Sequence, residues 1–331
     1  MNITSNLPHI IPATKLHTEK FTLPPITKET IKRAKEGVAY ARCRRTNEMI
    51  EEALLEAEGI NNNGSNLNHK AGDRPQVRQV DGKFRQGLIK FFIRSLFKVK
   101  VENRENLPTT ASVVVANHLN HIDPFLLLSE LPTTPFFHVL GDARTLYHSW
   151  WNRQFLRLTK GVIPLERIWK EEMAVVEAAK SGREDLVQLA AQIQEYVPTG
   201  NSIETMRRLD RIIQATFKRG DGIMLFPEGR LGKTEGQLLP IKRGAIVYAL
   251  RAGVPIVPIA LIGTKELFLG KELTIRVGKP LHFPQSNRPK SHEVQAAVEE
   301  VEAAMLALLP QNYKEPQGAK PFRSILNHLF W

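Results

Sequence analysis

The chain has 331 residues, of which 42% are hydrophobic, so it can bury the core of one large domain or of two modest ones. Its formal net charge of +12 favours an anionic partner such as nucleic acid, a lipid surface or a phosphorylated substrate. The single cysteine, Cys43, excludes an internal disulfide and fits a reducing compartment.

Targeting and membrane-spanning segments are not expected from this sequence. The first 20 residues lack the positively charged start and apolar stretch of a secretory signal. No run approaches the roughly 18 uninterrupted apolar residues that a spanning helix needs. We therefore expect a chain that is soluble or that lies on a membrane without crossing it.

Residues 1–75 are predicted to form an N-terminal helical segment and a linker. Apolar side chains at helical spacing, beginning with Ile31, Ala34 and Val38, predict one or two helices in residues 26–58. Residues 59–75 are rich in Asn and Gly and contain almost nothing apolar, which is typical of a linker. The main domain is therefore predicted to span residues 76–331.

Strand-like and helix-like runs alternate through the main domain. The clearest helix covers residues 201–220, where Asn201 and Glu204 form a capping-box pattern and Gly220 is a stop signal. The alternation predicts an α/β fold with a mixed, largely parallel central sheet flanked by helices and preceded by the N-terminal helical segment. Loops at strand ends usually hold the functional site of such a sheet. The predicted strands are residues 97–102, 112–117, 136–140, 161–165, 222–226, 255–263 and 273–278.

Residues 117–124, NHLNHIDP, place three ionisable side chains between a buried strand and an apolar helix. Because Pro124 suits the first position of a helix, His118 to Asp123 is predicted to be the connection between them. Residues five positions apart lie about 140° apart on a regular helix, so only a turn would bring His118 and Asp123 together. The residues alone also allow an N-cap role for Asp123, a satisfied histidine at a sheet edge, or a metal site of His118, His121 and Asp123.

A second charged loop, FPEGR at residues 226–230, follows another apolar strand. Its proline and glycine describe a tight turn that presents Glu228 and Arg230 at the sheet edge, although an ordinary turn with a surface ion pair is the simpler interpretation. Lys242 and Arg243 follow at the predicted start of a helix. Helix N-termini with neighbouring cations bind phosphate groups well.

The chain contains four segments, NHLNHIDP, GVIPLER, FPEGR and GVPIVPIAL, that resemble in this order the four blocks of the glycerolipid acyltransferase family. The match covers approximately residues 85–285. Each block alone is a weak signal, but four in order at predicted strand ends are a strong one. The family includes the bacterial PlsC type, which acylates 1-acylglycerol-3-phosphate, and the glycerol-3-phosphate acyltransferases.

The resemblance implies an enzyme that moves a fatty acyl group from a thioester donor, acyl-CoA or acyl carrier protein, to a glycerol-phosphate acceptor. Above all, the resemblance implies conversion of lysophosphatidic acid to phosphatidic acid. Glycerol-3-phosphate is the alternative acceptor, and no bound cofactor is expected. His118 would be the general base that deprotonates the acceptor hydroxyl. Asp123 would fix the tautomer of His118 and stabilise the imidazolium that forms.

The resemblance also implies a set of substrate-binding residues. Arg167, at the end of the second block, would hold the phosphate of the acceptor, and Lys242 would add positive charge nearby. Arg144 takes the place of a lysine in the PlsC pattern. The third block would contact the acceptor through Glu228, Gly229 and Arg230.

The chain departs from the family pattern in three places. Arg230 directly follows Gly229, whereas the third block of the family commonly has one residue between its glycine and its arginine. Asn120 stands where the first block often has serine. The part after Arg167 is longer than in compact family members, and residues 168–200 are predicted to be a helical insertion of one or two helices.

Residues 83–98 predict contact with an anionic membrane surface. On a helix their cations share one narrow stripe, large apolar side chains fill the opposite arc, and only Arg85 intrudes. The alternative is a helix packed on the core with a solvated basic face.

Residues 321–331 repeat the apolar spacing, as a docking helix or a second lipid contact. We therefore predict a peripheral membrane protein on the cytoplasmic side. The stripe consists of Lys83, Lys90, Arg94 and Lys98.

Two other functional classes remain as alternatives. A metal-dependent hydrolase would use His118, His121 and Asp123 as ligands and would contain stoichiometric metal. A nucleic-acid binder would account for the positive charge, but the basic residues alternate with lipid-like apolar faces and no known nucleic-acid module is present. We therefore expect no nucleic-acid partner.

Overall fold

The computed structural model of the protein describes residues 23–58, 82–146, 161–198 and 203–328. The predicted linker at residues 59–75 and Asn201 of the predicted capping box lie outside the described residues. The predicted domain boundary near residue 76 also lies outside them, so this division of the chain stays a prediction.

A seven-stranded sheet forms the centre of the fold, with strand order β1-β7-β6-β2-β5-β3-β4. Every predicted strand is present, and the predicted mixed, largely parallel sheet is confirmed. Strand β7 is antiparallel to β6 and parallel to β1, so these two strands run against the other five. The strands are β1 (Lys98–Glu102), β2 (Val113–Ala116), β3 (Phe137–Asp142), β4 (Val162–Leu165), β5 (Gly222–Leu225), β6 (Ile256–Ile262) and β7 (Glu272–Val277).

Helices precede the first strand of the sheet in the chain and alternate with the later ones. Two of them, α1 (Lys28–Ala41) and α2 (Arg44–Glu58), confirm the predicted N-terminal helical segment. The others are α3 (Gly82–Leu96), α4 (Asp123–Glu130), α5 (Ala143–Leu146), α6 (Lys170–Lys180), α7 (Val187–Tyr196), α8 (Ile203–Lys218), α9 (Gly244–Ala252), α10 (Ser291–Leu308) and α11 (Arg323–His328).

Strand β2 illustrates why the central strands are apolar throughout. Side chains alternate between the two faces of a strand, and both faces of this sheet are covered. Val113 and Val115 accordingly belong to one buried core cluster, while Val114 and Ala116 belong to another. All four are fully buried. A strand enclosed in this way holds its carboxyl end rigidly, and the NHLNHIDP loop begins there.

The chain divides into two compact units. The described part of the smaller unit contains residues 23–38 and Ile168–Tyr196, and helices α6 and α7 lie in the second of these segments. The interpretation of residues 168–200 as an insertion stays a prediction. Within this unit the guanidinium of Arg33 lies 5.7 Å from the ring centroid of Trp169 and 3.7 Å from the carboxylate of Glu171. The larger unit comprises Ala39–Arg167 and Val197–Trp331 and contains the sheet.

Helix α3 combines features of both predictions made for residues 83–98. Ile89 and Ile93, from the predicted apolar arc, are buried in the core, whereas Phe84 and Phe91 are 56% and 77% exposed. The apolar arc is therefore divided between the core and the surface. Arg85, the one intruding cation, is also buried, and desolvation lowers the pKa of its guanidinium to about 10.

The basic stripe of α3 is partly engaged in ion pairs within the protein. Glu130, at the end of α4, is 3% exposed and accepts from Lys90 at 3.3 Å and from Arg94 at 2.8 Å. Arg104 reaches the same carboxylate at 3.0 Å. A buried carboxylate needs such partners, because an unpaired buried charge is costly. These cations therefore fasten α3 to α4 as well as adding positive charge to the surface.

Candidate active site

The loop after β2 brings His118 and Asp123 into contact. Nδ1 of His118 lies 2.9 Å from Oδ2 of Asp123. A carboxylate only accepts, so Nδ1 carries the proton and donates it in this hydrogen bond. Asp123 is fully buried, whereas the side chain of His118 is 16% exposed. The geometry therefore orients an imidazole that still reaches the surface.

The same carboxylate oxygen closes the turn that joins the two residues. Oδ2 of Asp123 accepts from the backbone N–H of Leu119 at 2.7 Å and from that of Asn120 at 2.8 Å. Asp123 is the first residue of α4, and its bonds go to the preceding loop instead of the first turn of the helix. The N-cap interpretation of Asp123 is therefore wrong. The carboxylate shapes the loop and orients the ring at once.

Glu228 ties the FPEGR loop to the histidine loop. Its carboxylate accepts from the backbone N–H of His118 at 2.9 Å and from that of Leu239 at 3.0 Å. The side chain is 4% exposed, and this burial raises the pKa of the carboxyl group, while the two backbone donors act to lower it. Glu228 therefore supports the histidine loop, and its contact with the acceptor stays a prediction.

Two further contacts from the segment after β5 hold the histidine loop. The ring of Phe226 is stacked on that of His118, with centroids 4.1 Å apart and planes inclined by 18°. The backbone N–H of Gly232 donates to the carbonyl of His118 at 2.6 Å. A Cβ at position 232 would lie 2.9 Å from a methyl group of Leu119, so the loop packs closely only around glycine.

Cations gather around Gly229, which has a positive φ of 66°. Arg167 donates from Nη1 to the carbonyl of Gly229 at 3.1 Å and from Nε to Asp142 at 2.7 Å. The side chain of Lys242 lies against Gly229, since a Cβ added to this glycine would be 2.6 Å from Nζ. Arg230 is exposed and is the next residue along the chain. The structure thus brings Arg167, Lys242 and the FPEGR loop together beside the His118–Asp123 pair.

Arg144 contacts the Arg167 segment, and its predicted contact with substrate stays a prediction. It is 5% exposed, and its Nη2 donates to the carbonyl of Arg167 at 2.5 Å. This contact makes Arg144 a support for the Arg167 segment, because its buried guanidinium is directed at protein backbone.

Asn117, Asp142 and Phe226 were not predicted as site residues. The amide of Asn117 donates to the carbonyl of Leu261 at 2.9 Å and accepts from its N–H at 2.7 Å, which extends the pairing of β2 with β6 up to the histidine. A polar residue ending a buried strand was a usable signal for Asn117. Nothing in the sequence pairs Asp142 with Arg167 or Phe226 with His118, since both contacts depend on the sheet order.

The metal-site alternative has no complete set of ligands in the described residues. His121 faces the ring of His118 edge-on at 6.1 Å between centroids. The described ranges contain no group of three His, Cys, Asp or Glu side chains that could hold a metal ion. Asp123 is committed to the histidine ring and to two backbone donors.

The sequence of this chain is similar to those of known proteins. The family model described as Acyltransferase matches residues 98–262. The chain is 27% identical over 177 residues to the chloroplastic 1-acyl-sn-glycerol-3-phosphate acyltransferase BAT2 of Brassica napus, covering 53% of this chain and 40% of that protein. It is 27% identical over 223 residues to the 1-acyl-sn-glycerol-3-phosphate acyltransferase of Bacillus subtilis (strain 168), covering 66% of this chain and 91% of that protein. The chain spans about half the length of several curated relatives that it matches.

The crystal structure of the 1-acyl-sn-glycerophosphate (LPA) acyltransferase PlsC from Thermotoga maritima aligns with a TM-score of 0.47 and 18% identity. The alignment covers 86% of this chain and 100% of that chain. The region that the family model matches runs from β1 to β6 and contains the His118–Asp123 pair, Arg167 and the FPEGR loop. The match to the family model places residues 98–262 of this chain in the acyltransferase family.

Proposed function

We propose that the protein is an O-acyltransferase that transfers a fatty acyl group from a thioester to 1-acylglycerol-3-phosphate, producing phosphatidic acid. The observation that carries the proposal is the 2.9 Å contact between the ring of His118 and the fully buried carboxylate of Asp123. The acceptor class follows from the cations around Gly229 and from the relatives, which bear the name 1-acyl-sn-glycerol-3-phosphate acyltransferase.

The proposed reaction begins with removal of a proton from the acceptor. Because Nδ1–H of His118 is donated to Asp123, the neutral ring has its lone pair on Nε2, which takes the proton of the acceptor hydroxyl. The hydroxyl oxygen attacks the thioester carbonyl and forms a tetrahedral intermediate. When the carbon–sulfur bond breaks, the imidazolium returns its proton to the leaving thiolate. Asp123 stabilises the imidazolium throughout.

A phosphate group on the acceptor fits the cations near Gly229. Arginine binds phosphate through planar, paired hydrogen bonds, and lysine supplies a point charge. The side chain of Arg167 is 43% exposed and is held in place by Asp142. Glu228 connects this loop to the backbone of His118. We propose that these connections set the distance between the bound phosphate and the base.

We propose that the protein works as a peripheral protein at an anionic bilayer surface on the cytoplasmic side, where its amphiphilic acceptor resides. Every helix of the described ranges is too short or too polar to cross a bilayer. Exposed aromatic and aliphatic side chains next to cations favour the bilayer interface. Phe84 and Phe91 of α3 have this character, as do Phe322 and Ile325 near α11, which are 59% and 61% exposed. Both helices pack on the same core cluster through their other faces.

Replacing His118 with alanine removes the proposed base. We expect kcat for acyl transfer to fall by about 10³-fold or more, with the fold retained, because proton removal from the alcohol then depends on water. The measurement follows radiolabelled acyl groups from acyl-CoA and from acyl carrier protein onto 1-acylglycerol-3-phosphate and glycerol-3-phosphate. The exposed His282→Ala is the matched control and should keep full activity.

A near-normal turnover of His118→Ala would rule out the base assignment. In the same panel, transfer to glycerol-3-phosphate alone would keep the acyltransferase chemistry but overturn the proposed acceptor. Chelators should leave the activity unchanged, whereas their inhibition together with bound metal would favour the hydrolase class instead.

Replacing Arg167 with alanine removes one proposed phosphate ligand. We expect the KM for the acceptor to rise by about 10- to 100-fold, as for loss of a hydrogen bond to a charged group, while the KM for the donor changes little. Steady-state kinetics with each substrate varied in turn measure both constants. Arg183, an exposed arginine paired with Asp185, provides the control variant Arg183→Ala. An unchanged acceptor KM would remove Arg167 from the phosphate site.

The paired substitution Phe84→Ser and Phe91→Ser tests the bilayer contact. We expect binding to phosphatidylglycerol-containing vesicles to weaken by roughly tenfold or more in co-sedimentation, because two large apolar groups no longer enter the interface. Leu306→Ser, at a 49% exposed leucine of α10, is the control and should bind normally. Undiminished binding of the double variant would show that α3 does not contact the membrane. Phe322 and Ile325 would then be the next residues to replace.

A further inference from the structure

Phe226 is the aromatic residue in direct face contact with the proposed base. The centroids of the Phe226 and His118 rings are 4.1 Å apart and the ring planes differ by 18°, so the two rings are stacked face to face. Phe226 follows the last residue of β5 and packs against a core cluster of the sheet. The rigid strand therefore fixes the position of its ring.

The ring of His118 has two kinds of neighbour, one in the plane of the ring and one on its face. In the plane of the ring, Nδ1 is held by Asp123 at 2.9 Å. One face of the ring is covered by Phe226. His121 lies farther away and meets the ring edge-on at 6.1 Å. An in-plane hydrogen bond leaves rotation about that bond open, and the stacked ring on the face restricts this rotation.

The face of a phenyl ring carries partial negative charge and attracts cations. In the proposed reaction the imidazole is neutral when the acceptor binds and becomes an imidazolium as it takes the proton. The attraction to Phe226 therefore increases between the ground state and the transition state. An interaction that is stronger in the transition state raises kcat and leaves substrate affinity unchanged.

We propose that Phe226 is a positioning residue for acyl transfer, which acts through His118 by fixing the plane of the imidazole and by stabilising the imidazolium with its ring face. The proposal rests on the acyl transfer described above. It adds a residue that orients the neutral ring and whose electrostatic contribution is made only while the proton resides on the ring.

The test replaces Phe226 with phenylalanine analogues that carry one, two and three ring fluorines. Fluorination withdraws electrons from the ring face and changes its shape little. We expect kcat to fall stepwise, by about 3- to 10-fold at three fluorines, with the acceptor KM unchanged. The same analogues at Phe217, a buried phenylalanine of α8, are the control and should have no effect on kcat.

Two ordinary variants separate positioning from packing. Phe226→Tyr keeps an electron-rich ring and should retain kcat within about twofold, whereas Phe226→Leu keeps apolar bulk and should lower kcat by about 10-fold. Urea unfolding of both variants shows whether the fold is kept. A fluorine series with constant kcat would overturn the proposal, as would full activity of Phe226→Leu. A wild-type protein without acyl transfer would contradict the proposed function instead.

Discussion

A single carboxylate oxygen organises the site. Oδ2 of Asp123 accepts from the ring of His118 and from two consecutive backbone N–H groups, all within 2.9 Å. Because Asp123 is fully buried, these hydrogen bonds compensate the cost of burying its charge. The same bonds bend the chain at the end of β2, which brings together two residues that would lie on different sides of a regular helix. The turn and the proposed catalytic pair are thus one structural feature.

The chain has a net charge of +12, but several of its cations are bound within the fold. Three cations pair with the buried Glu130, and Arg144 supports the backbone of Arg167. These residues stabilise the fold and the site, so only part of the positive charge is available to a bilayer or a phosphate. Among the acidic residues, Glu228 has the same supporting role, since its carboxylate accepts hydrogen bonds from backbone N–H groups of two loops. Near the proposed active site, Arg144 and Glu228 therefore support the backbone of neighbouring segments.

Sequence patterns were sufficient to predict the seven strands of the described residues. Central strands such as β2 are apolar on both faces, whereas β1 and β7 alternate between polar and apolar residues. These patterns did not predict that β1 and β7 run against the other strands, since direction depends on distant pairing. The motif NHLNHIDP predicted the pairing of His118 with Asp123. The contact of Phe226 with His118 could not be predicted in this way, because it depends on β5 lying beside β2. The helical pattern of α3 predicted an amphipathic helix and could not assign which apolar residues face the core. Burial is decided by neighbours that are remote in sequence.

The central claim is that His118 and Asp123 act as one unit in proton transfer. A double-mutant cycle tests it most directly, with kcat measured for His118→Ala, Asp123→Asn and the double variant. If Asp123 acts only through the histidine, its replacement should have no further effect once His118 is gone, so the double variant should match His118→Ala within about twofold. If the two losses multiplied in the double variant, the residues would act independently, and this account of the site would be contradicted.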